Sequence, residues 1–304
     1  MKPQNEFPQF KKQHIYLALA ILLLIGMSLA CTLSGGETGN EKSVEDEIAT
    51  SVAGTLAAQI PAAPPQASNT PDAPTATTIP PTAAPDILYQ GTSFSYADFL
   101  ASSITLETIP ALNSEGPEGS YPEHIQFSFV GYPLSGTFHD PRIMIYPVDA
   151  YRSIFPYAND IFDNLQTLLA NQPSNPERIP FLPTFNAAQL MRAQVKYFDF
   201  QNGSGVRFLT IYGQSALVVN NQELFYTYQG MTNDGKYYIS AILPISHPSL
   251  PATSPTNLDQ NFYEEFEAHI AEVTNQLNGQ ADDSFAPTLS ALDAMMQSFL
   301  ITSP

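Results

Sequence analysis

The sequence predicts an α+β domain: a single antiparallel β-sheet, including a four-stranded meander, packed with α-helices. Three observations carry this. Two pairs of β-forming runs surround turn signals in the middle of the chain, "AQVKYFDFQNGSGVRFLTIYGQ" and "NQELFYTYQGMTNDGKYYISAILPI". Apolar residues at helical spacing lie before and after them. Residues 87–304 are rich in Tyr and Phe and are long enough to bury one substantial core.

Taken in order, "GTSFSYA", "SITLETI", "HIQFSFVGY" and "RIMIYPV" read as strands near 91–96, 103–109, 124–131 and 142–147. A helix follows in "YANDIFDNLQTLLANQP", where Ile161, Phe162, Leu165, Leu168 and Leu169 share a face and Pro173 ends the run. The meander strands fall near 194–201, 205–213, 222–230 and 236–244. Asn202-Gly203 and Asn233-Asp234-Gly235 turn its hairpins, because these residues tolerate positive φ. Alternation places Leu224, Tyr226 and Tyr228 on one face, with Phe225 and Thr227 on the other. A helix near 257–278 carries Leu258, Phe262, Phe266, Ile270, Val273 and Leu277, with Gly279 as its stop. A last helix near 287–300 opens at Pro287 and carries Leu289, Leu292, Met295, Met296 and Phe299. Strands, helix, meander and helices in this order look like PsbP-like domains, a likeness of fold that carries no function with it.

The chain before this domain has a different character. Lys2, Lys11 and Lys12 precede an uncharged run of 16 residues, "IYLALAILLLIGMSLA". That order is the layout of a secretory signal, and the run is short for a permanent span of about 20 residues. The chain's one cysteine, Cys31, stands directly after it. Ser28-Leu29-Ala30-Cys31 resembles the lipobox of bacterial lipoproteins. The usual Leu three places before the cysteine is replaced by Ser28, while Ala30 suits the cut site. The resemblance implies cleavage before Cys31, a diacylglycerol on its thiol and an acylated new amino end. An uncleaved anchor helix ending in a free cysteine is the other reading. Several acyl chains hold a protein at a bilayer where one does not, and with no second cysteine the domain has no internal disulfide.

Residues 31–86 read as a tether. Ser43 and Asp46 make a capping pattern for a short amphipathic helix over 43–60, with Val44, Ile48, Val52, Leu56 and Ile60 on one stripe. That stripe is either a self-association surface or the face of a frayed helix. Residues 61–86 hold eight prolines among Ala and Thr, an extended composition that reaches roughly 75 Å. The organisation is therefore a signal over 1–30, a lipidated flexible tether over 31–86 and a globular domain over 87–304.

The formal net charge is −18, and no Lys or Arg follows Lys236. Loss of residues 1–30 removes Lys2, Lys11, Lys12 and one acid, Glu6, and so leaves the chain more acidic still. Phosphate backbones need basic contacts, so nucleic acid is excluded as a partner. The acidity serves solubility near a surface or a face for a cation or basic partner.

The residues that could carry chemistry are dispersed. His124, His139, His247 and His269 show no helical zinc spacing. His139-Asp140 in "TFHDPRI" reads as a turn pair or a general base. No G-x-S-x-G elbow is present, since "GQSAL" at 213–217 lacks its second glycine. Gly203-Ser204-Gly205 joins two strands and is a hairpin turn before it is a nucleotide loop. "NLDQN" at 257–261 spaces oxygens as a calcium loop does but lacks the glycine and distal Glu, and reads as a helix start. Glu264, Glu265 and Glu267 make a solvated helix face. Tyr226, Tyr228, Tyr237 and Tyr238 form either a stacking platform or core. The apolar loop "PSNPERIPFLPTF" at 173–185 either caps a pocket or is pinned to the core by Ile179, Phe181, Leu182 and Phe185.

No catalytic, cofactor or metal residue is assigned, and Cys31 is the single assigned site, for lipid. "IPFLPTFNAAQ", "GVRFLTIYGQ" and "NNQELFYTYQGMTNDGKYYISAILPISHPSLP" look like segments of uncharacterised bacterial surface lipoproteins, a resemblance that brings no activity with it. The expectation is a non-enzymatic binding or accessory module, lipid-anchored at the outer face of the cell membrane. A hydrolase with an unrecognised site and a self-associating envelope protein are the alternatives.

Overall fold

The structure is a computed structural model that describes residues 84–114 and 119–302; the signal run, Cys31 and the tether up to residue 83 lie outside the described residues. In chain order the elements are β1 (Ile87–Tyr89), β2 (Thr92–Phe94), β3 (Ser103–Ile109), β4 (His124–Val130), β5 (Arg142–Pro147), α1 (Val148–Ile154), α2 (Ala158–Asn171), β6 (Ala188–Gln189), β7 (Ala193–Phe200), β8 (Gly203–Thr210), β9 (Tyr212–Gly213), β10 (Phe225–Thr232), β11 (Tyr237–Pro244), α3 (Gln260–Glu264), α4 (Phe266–Asn278), α5 (Leu289–Gln297) and β12 (Leu300–Ile301).

The α+β class holds, but the strands do not form a single sheet. Among the described residues a seven-stranded antiparallel sheet runs β3-β4-β5-β11-β10-β8-β7, beside a three-stranded sheet β1-β2-β12 and the pair β6-β9. The meander β7-β8-β10-β11 docks on the earlier β3-β4-β5 meander through β11 and β5, with Ile239 opposite Ile145 and Ala241 opposite Ile143. The small sheets are separate because their strands are two or three residues long and close loops over the main sheet rather than extend it.

Alternation makes the main sheet the middle of three layers. One face gives Ile143, Ile145, Leu209, Tyr226, Tyr228, Ile239 and Ala241 to a core with Val273 and Leu277 of α4 and Leu292 and Met296 of α5. The other gives Met144, Tyr146, Phe208, Phe225, Tyr238 and Ile242 to a second core with Tyr151 of α1 and Phe162, Leu165 and Leu168 of α2. Helix α2 ends where Gln172 turns left-handed and its N–H reaches Leu168 O at 2.8 Å.

Three expectations need correction at element boundaries. The helix expected over 257–278 is broken at Glu265, because α3 buries no residue that would hold it in line with α4. The helix expected to reach 300 stops at Gln297. Phe299 instead stacks on Phe94 at 4.2 Å, and the Asn202 side-chain amide brackets the Ile301 backbone, donating to its O at 2.5 Å and accepting from its N at 3.1 Å. The β7–β8 hairpin turns at Gln201-Asn202, one place earlier than expected. Gly203 lacks a side chain because a Cβ there would lie 2.1 Å from the Phe200 ring and 2.3 Å from Met231 O.

One buried charge cluster ties α5 to the sheet. Asp293 accepts from Lys196 Nζ at 2.9 Å, from Tyr226 OH at 3.1 Å and from Arg207 Nη2 at 3.3 Å. Arg207 Nε lies 3.2 Å from Asp293 Oδ1, an ion pair without hydrogen-bond alignment. Both side chains are almost wholly buried, and Arg207 Nη2 also reaches Asp282 Oδ1 at 3.5 Å, so the buried charges compensate one another.

Candidate functional site

A cleft of about 810 Å³ lies between α2 and the loop that leads to β6. Asp160, Ile161, Asn164, Thr167, Leu168 and Asn171 form one wall. Their spacing is one helical face, beside the stripe that Phe162, Leu165 and Leu168 bury in the core. The opposite wall is the loop from Pro173 to Gln189, and Arg192 and Tyr212 complete the lining.

That loop is irregular in backbone yet firmly held. Leu182 is fully buried; its N–H donates to Gln229 Oε1 at 3.2 Å and its carbonyl accepts from Ser240 Oγ at 2.5 Å. Gln229 itself is buried and uses its whole amide, donating to Thr227 and Ser240 and accepting also from the Tyr238 hydroxyl. Tyr197 OH donates to Pro173 O at 3.0 Å, and Gln214 Nε2 donates to Asn186 O at 2.8 Å. The rings of Phe181, Phe185 and Tyr212 pack within 4.8 to 5.2 Å of one another. Both expectations for 173–185 are met together: Ile179, Phe181 and Leu182 are buried, Phe185 packs on the same core, and the loop walls a cavity.

The polar groups of the cleft centre on Gln189. Its Nε2 donates to Tyr212 OH at 3.1 Å and to Ile179 O at 3.3 Å, while its Oε1 accepts from Arg192 Nη1 at 3.4 Å. Burial pulls the Arg192 pKa down, and the neighbouring Arg178 guanidinium lowers it further, against an opposing contribution from Tyr212. Burial pushes the Tyr212 hydroxyl pKa up. Most basic residues among the described ones are neutralised: Arg152 pairs with Asp163, Lys196 and Arg207 with Asp293, and Lys236 with Asp234. Arg142, Arg178 and Arg192 form no ion pair there, and two of these three line the cleft. Arg142 lines a smaller cavity of about 280 Å³ with Tyr121, His124 and Tyr146, which shares Thr184 and Phe185 with the cleft.

The residues singled out from sequence fare differently. His139 and Asp140 sit in the loop before β5 and do not act as a pair: the His139 ring stacks on Phe185 at 5.2 Å and meets Phe225 edge-on at 4.6 Å, whereas Asp140 is exposed. Burial and Arg142 lower the His139 pKa to about 4, against the raising effect of Asp140. The tyrosines build no platform. Tyr226 and Tyr228 belong to one core and Tyr238 to the other, since an odd register separates their faces. Asp259 of "NLDQN" caps α3, accepting from Phe262 N at 2.9 Å. Glu264, Glu265 and Glu267 are exposed. No group of three or more His, Cys, Asp or Glu converges among the described residues, and none of their helices is long and apolar enough to cross a membrane.

His247 contacts two hydroxyls that its sequence neighbourhood does not announce. Its Nδ1 lies 2.7 Å from Ser249 Oγ and accepts from Ser249 N at 3.2 Å; its Nε2 lies 3.2 Å from Ser284 Oγ. Because Nδ1 accepts, Nε2 carries the proton and donates to Ser284, whose own hydroxyl donates to Ala281 O at 2.7 Å. A histidine that donates to a serine does not deprotonate it. The contact fastens the 246–250 turn to the segment before α5.

No protein-family model, curated protein or solved structure matches this chain. The functional argument therefore rests on the cleft. The residues that sequence reasoning passed over are Arg178, Gln189, Arg192 and Tyr212. Only the apolar character of 173–185 signalled the place, because Arg178, the 189–192 stretch and Tyr212 are apart in the chain and nothing local marks an arginine as unpaired.

Proposed function

We propose that the globular domain is a non-enzymatic ligand-binding module with the cleft between α2 and the 173–189 loop as its site. The observation that carries this reading is the pairing of a firmly held aromatic wall with two arginines that no carboxylate neutralises. A volume near 810 Å³ falls within the roughly 300–1,000 Å³ of small-molecule sites. In the same reading Cys31 is acylated and residues 31–86 tether the domain at the outer face of a membrane, with the lipid as its membrane contact and no nucleic-acid partner. The signal-like run and the small residue before Cys31 support this. The order of strands, helices and meander supports a PsbP-like arrangement as part of the proposal.

A thermal-shift screen of the full chain against small molecules and envelope extracts tests the module. Stabilisation by a subset of ligands is expected, and uniform silence refutes a small-molecule role. Turnover on an ester, peptide and glycoside panel that disappears in His139→Ala or His247→Ala would replace the binding reading with a hydrolase. Mass spectrometry of chain extracted from membranes is expected to find an acylated Cys31 at the amino end; an intact Met1 with a free thiol would replace the lipid anchor with an uncleaved helix.

A further inference from the structure

We infer that the cleft takes an organic monocarboxylate with an aromatic or aliphatic body, its head held by Arg178 and Arg192 and its body against Phe181, Phe185 and Tyr212. This rests on the binding-module reading of the same cleft and names its ligand class.

The head-group assignment follows from charge. A guanidinium offers fixed forked donors that match a carboxylate. Arg192 spends one weak contact, at 3.4 Å, on Gln189 and is otherwise without an acceptor. Arg178 and Arg192 both line the cleft without a carboxylate partner, so an anion bound there meets two unneutralised guanidinium groups. Asp160 and Glu177 also line the cleft without pairing to either arginine. They sit inside a chain of net charge −18, so a dianion such as a phosphate monoester meets more repulsion on approach than a monoanion does. The body assignment follows from the wall. Ile161, Ile179, Phe181 and Phe185 make an apolar surface held in place by the Leu182–Gln229–Ser240 contacts, and an amphipathic acid covers that surface while its head reaches the arginines.

Isothermal titration of the full chain with naphthoate, naphthamide and naphthyl phosphate tests this. Naphthoate is expected to bind roughly tenfold or more tighter than the isosteric amide, the discrimination that a charge-assisted contact supplies, and tighter than the phosphate. Arg178→Gln alters an exposed residue and is expected to erase most of that preference; Arg192→Lys, which keeps charge but loses the fork, is expected to weaken it in part. Equal binding of acid and amide, or a preference untouched by both variants, overturns the carboxylate assignment and leaves the cleft as a binding site. Tighter binding of the phosphate overturns it as well. Binding by none of the three probes, or amide binding that survives Ile161→Trp in the cleft wall, overturns the cleft reading itself.

Discussion

His139 is the side chain whose protonation the fold resists most. Its ring lies against Phe185 and Phe225, and burial together with Arg142 holds its pKa near 4 against an ordinary 6.5. Between those values the unfolded chain binds a proton that the folded chain refuses. The associated stability is therefore fully present above about pH 6.5 and is lost as pH falls toward 4, a loss of about 3 kcal/mol. His124, His247 and His269 are shifted down too, each first by burial, and add to the same slope. His139→Phe keeps the ring and removes the titration. Urea midpoints measured from neutral pH down to about 4 are expected to fall less steeply in this variant than in the parent. Identical slopes would mean that His139 is not held neutral.

At the scale of elements, α5 is fastened by Asp293 more than by its own length of nine residues. Truncating Asp293→Ala leaves the buried Arg207 charge with only the longer, 3.5 Å contact to the half-exposed Asp282 and leaves the Tyr226 hydroxyl without an acceptor, at an expected cost of about 3 kcal/mol. Lys196→Met removes a partner that is half exposed and is expected to cost about 1 kcal/mol or less. Chemical denaturation compares the two, and similar costs would mean that the cluster is not a buried hub. Sequence legibility divides along this same line. Strands β3 and β5 fall where "SITLETI" and "RIMIYP" place them, because alternation is a local property. Helix α1 went unseen since it follows β5 at once and spans seven residues, too few for a period to show. Phe299 completes an apolar stripe with Met295 and Met296, yet its partner is Phe94, some two hundred residues earlier in the chain, so a strand end passes for a helix end. The cleft was half legible for the same reason. Its apolar loop is visible in "IPFLPTF", whereas the meeting of Arg178, Gln189, Arg192 and Tyr212 depends on tertiary contacts.

For the whole molecule, charge and layering point to one place. An acidic chain neutralises most of its described basic groups in ion pairs and leaves Arg178 and Arg192 facing a cavity on the α2 side of the sheet. The α4–α5 side instead encloses its charges within the core. Ligand binding should therefore be felt on one layer and not the other. Amide hydrogen exchange of the full chain, with and without saturating naphthoate, measures this directly. The account predicts slowed exchange confined to α2, the 173–190 loop and the neighbourhood of Tyr212, with α4 and α5 unchanged. Protection centred on the α4–α5 layer, or no protection anywhere, would contradict it.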